Sequence, residues 1–391
     1  MRDEMKKVPR LRFRGFSEDW ELCKLEEIVD VRSGRDYKHL GSGNIPVYGT
    51  GGYMLSVSEA LSYDEDAIGI GRKGTINNPY ILKAPFWTVD TLFYTVPKNN
   101  FDLNFIYSIF RKINWKSKDE STGVPSLSKT TINAVTVYIP SGSEQQRIGK
   151  FFKQLDDTIT LHQRKLDQLK KLKKAYLQAM FVSTNPKNNK VPKLRFTDFE
   201  GDWELCKLGV MAPLRGGFAF KSENFQNSGV RIVRISNIDK MGKIRGPYVY
   251  CQEQENDTNY LLPNNSVLLA MSGATTGKVA ILSKRSKEKY YQNQRVGYFQ
   301  KNIEYSYDFI AVLVQSDLFL KQLDSVLVSG AQPNISSTEI NNFNFMIPKN
   351  VEEQNQIGIF IKNIDNTITF HQNKLTQLKS LKKSYLQNMF I

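Results

Sequence analysis

From Ser143 to Phe181 the sequence reads SEQQRIGKFFKQLDDTITLHQRKLDQLKKLKKAYLQAMF, and from Glu352 to Phe390 it reads EEQNQIGIFIKNIDNTITFHQNKLTQLKSLKKSYLQNMF. His162 matches His371 at a spacing of 209 residues, and Phe181 matches Phe390 at the same spacing. Apolar residues of the first copy fall at Ile148, Phe152, Leu155, Ile159, Leu166, Leu169, Tyr176 and Met180. The second copy repeats them at Ile357, Ile361, Ile364, Ile368, Leu375, Leu378, Tyr385 and Met389. Steps alternating four and three form the seam of a coiled coil, narrower than a globular helix face. Neither copy contains proline, and Gly149 and Gly358 are their only glycines, so the pattern predicts two helices of nearly forty residues. Each needs a partner for its stripe, and the other copy is the natural one.

Working outward, a second repeat stands before each helix. Val8-Pro9-Arg10-Leu11-Arg12-Phe13 returns as Val191-Pro192-Lys193-Leu194-Arg195-Phe196, and Asp19 to Leu25 returns letter for letter as Asp202 to Leu208. The chain is therefore a frame of head and helix, built twice around two inserts that have diverged. Boundaries follow: a first domain of head and insert over 1–142, a helix over 143–182, a linker over 183–190, a second such domain over 191–351 and a second helix over 352–391. The linker STNPKNNK is polar and broken by proline.

Each insert reads as mixed, with more strand than helix. In the first, strands are expected at 45–48, 67–71, 93–96 and 134–139, with a helix at 103–113. In the second, they are expected at 231–235, 266–271, 279–282, 295–299 and 343–347, with one helix over 306–326. Both inserts end alike. Thr122-Gly123-Val124-Pro125-Ser126-Leu127-Ser128 and Ser329-Gly330-Ala331-Gln332-Pro333-Asn334-Ile335-Ser336 each lead through Ile-Asn and a strand into a long helix. The fold class expected is α+β: two mixed domains separated by two long antiparallel coiled-coil helices with pseudo-two-fold symmetry.

The net charge of +15 is shared, with +7 in residues 1–182 (28 basic, 21 acidic) and +8 in the remainder (26 basic, 18 acidic). Two basic modules suit a polyanion contacted twice, and duplex DNA fits. No apolar run approaches the roughly 18 residues of a membrane span, and the polar start MRDEMKKVPR predicts no signal peptide. Cys23, Cys206 and Cys251 lack any CxxC or histidine pairing, so they are expected reduced and buried, in a cytoplasmic protein without a metal site.

Catalytic motifs fail their context. Gly69-Ile70-Gly71-Arg72-Lys73-Gly74 fits GxGxxG, but Thr75-Ile76-Asn77-Asn78-Pro79 follows where a helix must begin. Gly273 to Lys278 is one residue short of a phosphate loop, and Val279 stands where a Mg²⁺-binding hydroxyl belongs. These two segments are expected to correspond, with Arg72 or Lys73 matching Lys278. Asn77-Asn78-Pro79-Tyr80 lacks one proline of the adenine methyltransferase box. No HExxH or GxSxG is present.

Two diverged inserts, each followed by a helix of the pattern EQQRIG…LDDTITLHQRKLDQLKKLKKAYLQAMF, resemble the specificity subunit of type I restriction–modification systems over essentially the whole chain. The resemblance implies a non-catalytic subunit whose two domains each read one half of a bipartite target in double-stranded DNA. It implies helices that set the spacing and dock two methyltransferase subunits, with endonuclease/translocase subunits joining them. S-adenosylmethionine, ATP and Mg²⁺ would then belong to those partners, with none bound by this chain. The alternative is a DNA-modifying enzyme, a methyltransferase or nuclease, with an unrecognised active site.

Base edges are read by Arg, Asn, Gln and small hydroxyl groups, and phosphates are held by Lys and Arg. On that basis the first insert offers Arg35, Lys38, Thr50, Tyr53, Arg72, Lys73, Ser126 and Lys129. The second offers Arg215, Lys221, Arg231, Arg234, Lys278, Asn293, Gln294, Arg295, Gln332 and Asn334. Lys170, Lys171, Lys173 and Lys174, with Lys379, Lys382 and Lys383, are expected on a solvated helix face. His162 and His371 occupy seam positions near mid-helix, where antiparallel pairing makes them meet at the crossing.

Overall fold

The structure, a computed structural model, describes residues 7–182, 190–239, 242–285, 287–327 and 334–391. Of the linker expected at 183–190, only Lys190 lies among them. The seam-patterned segments form single helices, Gly142–Ala179 and Val351–Asn388, of 38 residues each. Two compact units result, one of residues 1–165 with 371–391 and one of residues 166–370. Both units thus contain the first part of one long helix and the last part of the other.

In the first unit the two helix segments run antiparallel. Asp156 takes Lys382 at 2.5 and 2.7 Å, and six residues further on His162 meets His371. In the second unit Lys173 takes Asp365 at 2.6 and 2.7 Å, while the Tyr176 and Phe360 rings meet edge to face at 4.8 Å. These ion pairs are repeat equivalents, since Asp156 corresponds to Asp365 and Lys382 to Lys173. Of the seven lysines expected on a solvated helix face, these two lie in the seam, half-buried, and Lys170, Lys171, Lys174, Lys379 and Lys383 are exposed.

The sheets are also built twice. In the first unit Val29–Ser33, Leu92–Pro97, Ala67–Gly71 and Tyr80–Leu82 make a four-stranded antiparallel sheet. A three-stranded sheet orders Gly52–Val57, Ser42–Gly49 and Trp87–Thr88, the last pairing parallel. In the second unit Leu214–Arg215, Val296–Phe299, Val267–Ala270 and Val279–Ile281 make the four-stranded sheet. Val249–Cys251, Val230–Val233 and Tyr290–Gln292 make the smaller one, again with a parallel pair. A two-stranded ribbon joins Glu21–Lys24 to Thr136–Ile139 in one unit and Glu204–Lys207 to Asn344–Ile347 in the other.

The letters that repeat are those that bind head to helix. Arg12 grips Glu144 with two bonds of 2.7 Å, and Arg195 grips Glu353 at 2.7 and 2.8 Å. Both carboxylates are buried, and each sits in the first turn of its helix, where the helix dipole favours negative charge. Gln145 and Gln354, also buried, donate to the carbonyls of Pro140 and Pro348 and accept from the amides of Asp102 and Ser306. Gly149 exists for contact: a Cβ there would lie 2.1 Å from Asp102 Oδ1, and one on Gly358 would lie 2.6 Å from the Phe309 amide. At the other helix ends, Phe390 stacks on Phe105 at 5.6 Å and Phe181 on Phe309 at 5.5 Å, each plugging the core of its unit.

Several elements differ from the sequence expectation. The helix expected over 306–326 is two, Tyr307–Leu313 and Asp317–Leu327. Between them Gln315 and Ser316 bond three residues back, and the Ser316 hydroxyl accepts from the Phe319 amide as a new cap. The strand expected at 231–235 stops at Val233, because Asn237 Oδ1 takes the Arg234 amide and winds Ile235–Asn237 into a 3₁₀ turn. The strand expected from Ala134 begins at Thr136, since Ala134 ends the short helix Lys129–Asn133. Cys23 and Cys206 are partly exposed on the ribbons, and only Cys251 is buried.

Candidate nucleic-acid interface

In the first unit, loop connections are drawn together by backbone bonds. The Arg35 amide donates to Thr88, Val89 to Tyr48, Arg72 to Thr91 and Leu127 to Arg72. Lys73 pairs with Ser126 in an isolated bridge. Connections 34–38, 49–52, 72–77, 89–91 and 119–128 therefore form one cluster. The second unit makes the same set: Phe218 donates to Gln292, Asn293 to Val233, Met271 to Arg295 and Ile335 to Met271, while Ser272 bridges Asn334. This pairing equates Lys73 with Ser272, correcting the sequence match of Arg72 or Lys73 to Lys278, which lies six residues later at the next strand.

Most first-unit candidates lie on the cluster. Arg35, Lys38, Arg72, Lys73 and Lys129 are exposed, and Thr50 and Ser126 are half-buried. The Arg72 guanidinium lies 5.7 Å from the Phe93 ring and 3.5 Å from the Asp90 carbonyl, so its orientation is supported from two sides. Tyr53 is 62% exposed on the hairpin that turns at Thr50 and Gly51, and Gly52 adopts a φ of +107° there. Asp119 braces the loop carrying Ser126. Bonds from the Ser126 amide first, then from Ser121, hold its carboxyl below the usual carboxylate range.

The second set divides. Gln294, Arg295, Asn334 and Lys278 are exposed, Asn293 and Arg234 are half-buried, and the buried Arg234 Nε has no hydrogen-bond partner among the described residues. Arg295 Nη1 lies 3.5 Å from Asn334 Oδ1. Lys221 is exposed in an ion pair with Glu223. Gln332 lies outside the described residues.

Arg215 and Arg231 are spent inside the unit. Arg215 donates to Gln292 Oε1 and the carbonyls of Thr258 and Leu261, each at 3.0 Å, with its guanidinium 4.9 Å from the Tyr298 ring. Burial lowers its pKa, partly offset by Tyr298. Arg231 lies over Tyr290 and Tyr248 and pairs with Glu288 at 3.3 Å. Neither is the DNA-facing arginine expected from the sequence, because charge alone does not show which face of a strand a residue occupies.

Asp90, Thr91 and Met54, which the sequence expectation does not include, line one shallow hollow with Lys38. A signal was present: the 183-residue spacing extends to Arg32 and Arg215 and to Gly34 and Gly217. A Cβ on Gly34 would lie 2.0 Å from the Val89 carbonyl oxygen, and one on Gly217 would lie 1.8 Å from that of Asn293. Among the described residues no group of three or more His, Cys, Asp or Glu is placed to hold a metal ion, and no helix is long and apolar enough to cross a membrane.

The fold and its loop clusters define an internally duplicated protein with two equivalent sites on one repeated frame. The family profile of the type I restriction modification DNA specificity domain matches residues 17–171 and again 200–380, and the chain belongs to that family. The type I restriction enzyme MjaVIII specificity subunit of Methanocaldococcus jannaschii is 27% identical over 293 residues, 73% of this chain and 68% of the relative. The EcoAI specificity subunit of Escherichia coli is 31% identical over 147 residues, covering 35% of this chain and 24% of its own. The crystal structure of the type I restriction–modification S subunit from M. genitalium matches with a TM-score of 0.73 at 13% identity, covering 98% of this chain and 99% of that one. The fold is thus the specificity-subunit fold, and the role is DNA recognition.

Proposed function

We propose that this chain is the non-catalytic reader of a cytoplasmic type I restriction–modification complex, each unit reading one half of a bipartite target in double-stranded DNA. The observation that carries the reading is the duplicated loop cluster, whose backbone bonds are the same in both units while its side chains differ. Equal scaffolds with unequal side chains suit two half-sites of different sequence. The frame, being repeated, suits a partner met twice. Leu161 (64% exposed), Phe370 (60%), Leu172 (44%) and Leu381 (41%) hold equivalent places on the helices and offer apolar contacts for two methyltransferase subunits. Those subunits would supply S-adenosylmethionine-dependent adenine methylation, and endonuclease/translocase subunits would supply ATP- and Mg²⁺-dependent cleavage. The helices, shared by both units, would set the unread spacer.

The test is methylome sequencing of a host expressing the chain with its methyltransferase partner. A bipartite motif is expected, and replacing residues 26–140 with the equivalent segment of another specificity subunit changes one half of it only. Simultaneous change of both halves overturns the two-reader assignment. Binding of S-adenosylmethionine by the purified chain, or DNA cleavage by it with Mg²⁺, overturns the non-catalytic one.

A further inference from the structure

One tight turn is built identically in both clusters yet carries opposite chemistry. In the first unit Val89, Asp90, Thr91 and Leu92 form a turn closed by the Leu92 amide on the Val89 carbonyl at 2.9 Å. In the second, Asn293, Gln294, Arg295 and Val296 form its counterpart, closed by Val296 on Asn293 at 2.9 Å. Each turn is anchored from two further sides. Val89 donates to Tyr48 at 3.0 Å and Asn293 to Val233 at 3.1 Å; Thr91 accepts from Arg72 at 2.8 Å and Arg295 from Met271 at 3.0 Å. Gly34 and Gly217 press against the first carbonyl of each turn, leaving no room for a side chain.

Such a turn is fixed before any ligand arrives, so groups at its tip are ordered at little entropic cost on binding. The tip residues nevertheless face solvent: Asp90, Gln294 and Arg295 are exposed, and Thr91 is half-buried. An exposed carboxylate that shares a hollow with Lys38, on a turn whose Asp90 carbonyl faces Arg72, contributes nothing to holding phosphate. It does provide the acceptor that a cytosine amino group requires. Gln and Arg carry the bidentate forks that match adenine and guanine edges. Consecutive residues stand about 3.8 Å apart and consecutive base pairs about 3.4 Å, so adjacent tip residues suit adjacent pairs.

We propose that these two turns are the base-reading tips of the protein, Asp90 contacting a cytosine in one half-site and Gln294 with Arg295 contacting an adenine–guanine step in the other. This rests on the DNA-reading function proposed above and adds which residues read and which bases they select. Arg295 is the sharpest test, because among the described residues its side chain makes one long hydrogen bond, to Asn334 at 3.5 Å, and its loss leaves the fold standing.

The complex of full-length chain with its methyltransferase is expressed as wild type, Arg295→Ala, Arg295→Lys and Asp90→Ala, and the host methylomes are compared. Discrimination at one position of one half-site is expected to fall roughly 5- to 150-fold in both Arg295 variants, with every other position kept. Lysine fails to rescue because it lacks the planar fork. Asp90→Ala relaxes one cytosine position of the opposite half-site. Rescue by lysine with uniform weakening across sites means a phosphate contact and overturns the proposal, as does an unchanged motif in all variants. A wild-type complex that yields no bipartite motif defeats instead the reading on which the proposal rests. Melting temperatures within about 2 °C of wild type confirm folding, and if Arg295→Ala falls outside that range the lysine variant alone decides.

Discussion

His162 and His371 place their Nδ1 atoms 2.8 Å apart, with ring centroids 5.0 Å apart, so one imidazole donates a proton to the other across the antiparallel helix segments of the first unit. Each is the repeat equivalent of the other, and a contact between equivalents fixes the register of the pair. Burial first, then the positive charge of His162 and Lys165, lowers the pKa of His371. A base with a lowered folded pKa binds its proton more readily when unfolded, so stability rises with pH through the histidine range and is lost as pH falls below about 6.5.

The first prediction follows from that sign. The melting temperature of wild type is expected to drop between pH 7.5 and 5.5, and the double variant His162→Leu, His371→Leu is expected to drop less. At pH 7.5 the leucines keep or raise stability, since a polar seam pair trades stability for register. Identical pH profiles for the two proteins would exclude the pair as the source.

The head-to-helix grip makes a second prediction. Arg12→Leu alone leaves the buried Glu144 carboxylate without its partner, which costs about 3–5 kcal/mol. Arg12→Leu with Glu144→Leu removes both charges and is expected to recover most of that loss. Urea denaturation of the single and double variants measures the coupling, and additive losses would mean that the two residues act independently. Arg195 with Glu353 repeats the experiment in the second unit, where Trp203 Nε1 also donates to Glu353 at 3.2 Å.

Much of this architecture was legible because the sequence is its own alignment. Residues that repeat at spacings of 183 and 209, such as Arg12, Trp20, Glu144, Gly149 and Phe181 with their partners, are the ones that seal head, insert and helix. The coiled-coil seam was legible from its period alone. The loop clusters were legible only as a composition. Whether an arginine reaches out or folds in depends on strand register and on aromatic neighbours far along the chain, as with Arg215 and Tyr298, and no local pattern records that. Asp90 was overlooked for a different reason: acidic residues are discounted when a basic polyanion-binding surface is sought, although base edges include donors.

A third prediction separates the two kinds of arginine and lysine. Arg215→Ala removes three hydrogen bonds and the Tyr298 contact and leaves Gln292 Oε1 short of a donor, so it lowers stability by about 2–3 kcal/mol. Lys278→Ala, on an exposed side chain, leaves stability within about 0.5 kcal/mol. If Lys278 meets a phosphate, its removal reduces the slope of log affinity against log salt by about 0.9. Thermal melting and DNA binding by the full complex at several salt concentrations resolve the two. A salt slope unchanged in Lys278→Ala removes it from the interface.

The last prediction concerns the long helices as a measure of the DNA target. At 38 residues and about 1.5 Å per residue each spans roughly 57 Å, more than one ~34–36 Å turn of duplex. One heptad inserted within 166–176, with another in the facing segment of the second helix, preserves the apolar seam and lengthens each helix by about 10 Å. At about 3.4 Å per base pair this corresponds to roughly three more unread base pairs. Three base pairs also turn one half-site by about 100° at ~10.5 base pairs per turn, so the methylated spacer is expected to lengthen by two to four pairs, a range of about ±1 around three that twist sets. Four residues inserted in one helix alone put polar residues into the seam and are expected to lower assembly with the methyltransferase. Methylome sequencing of the heptad variant decides between roles: an unchanged spacer with full methylation would leave the helices as a brace that joins the units without measuring DNA.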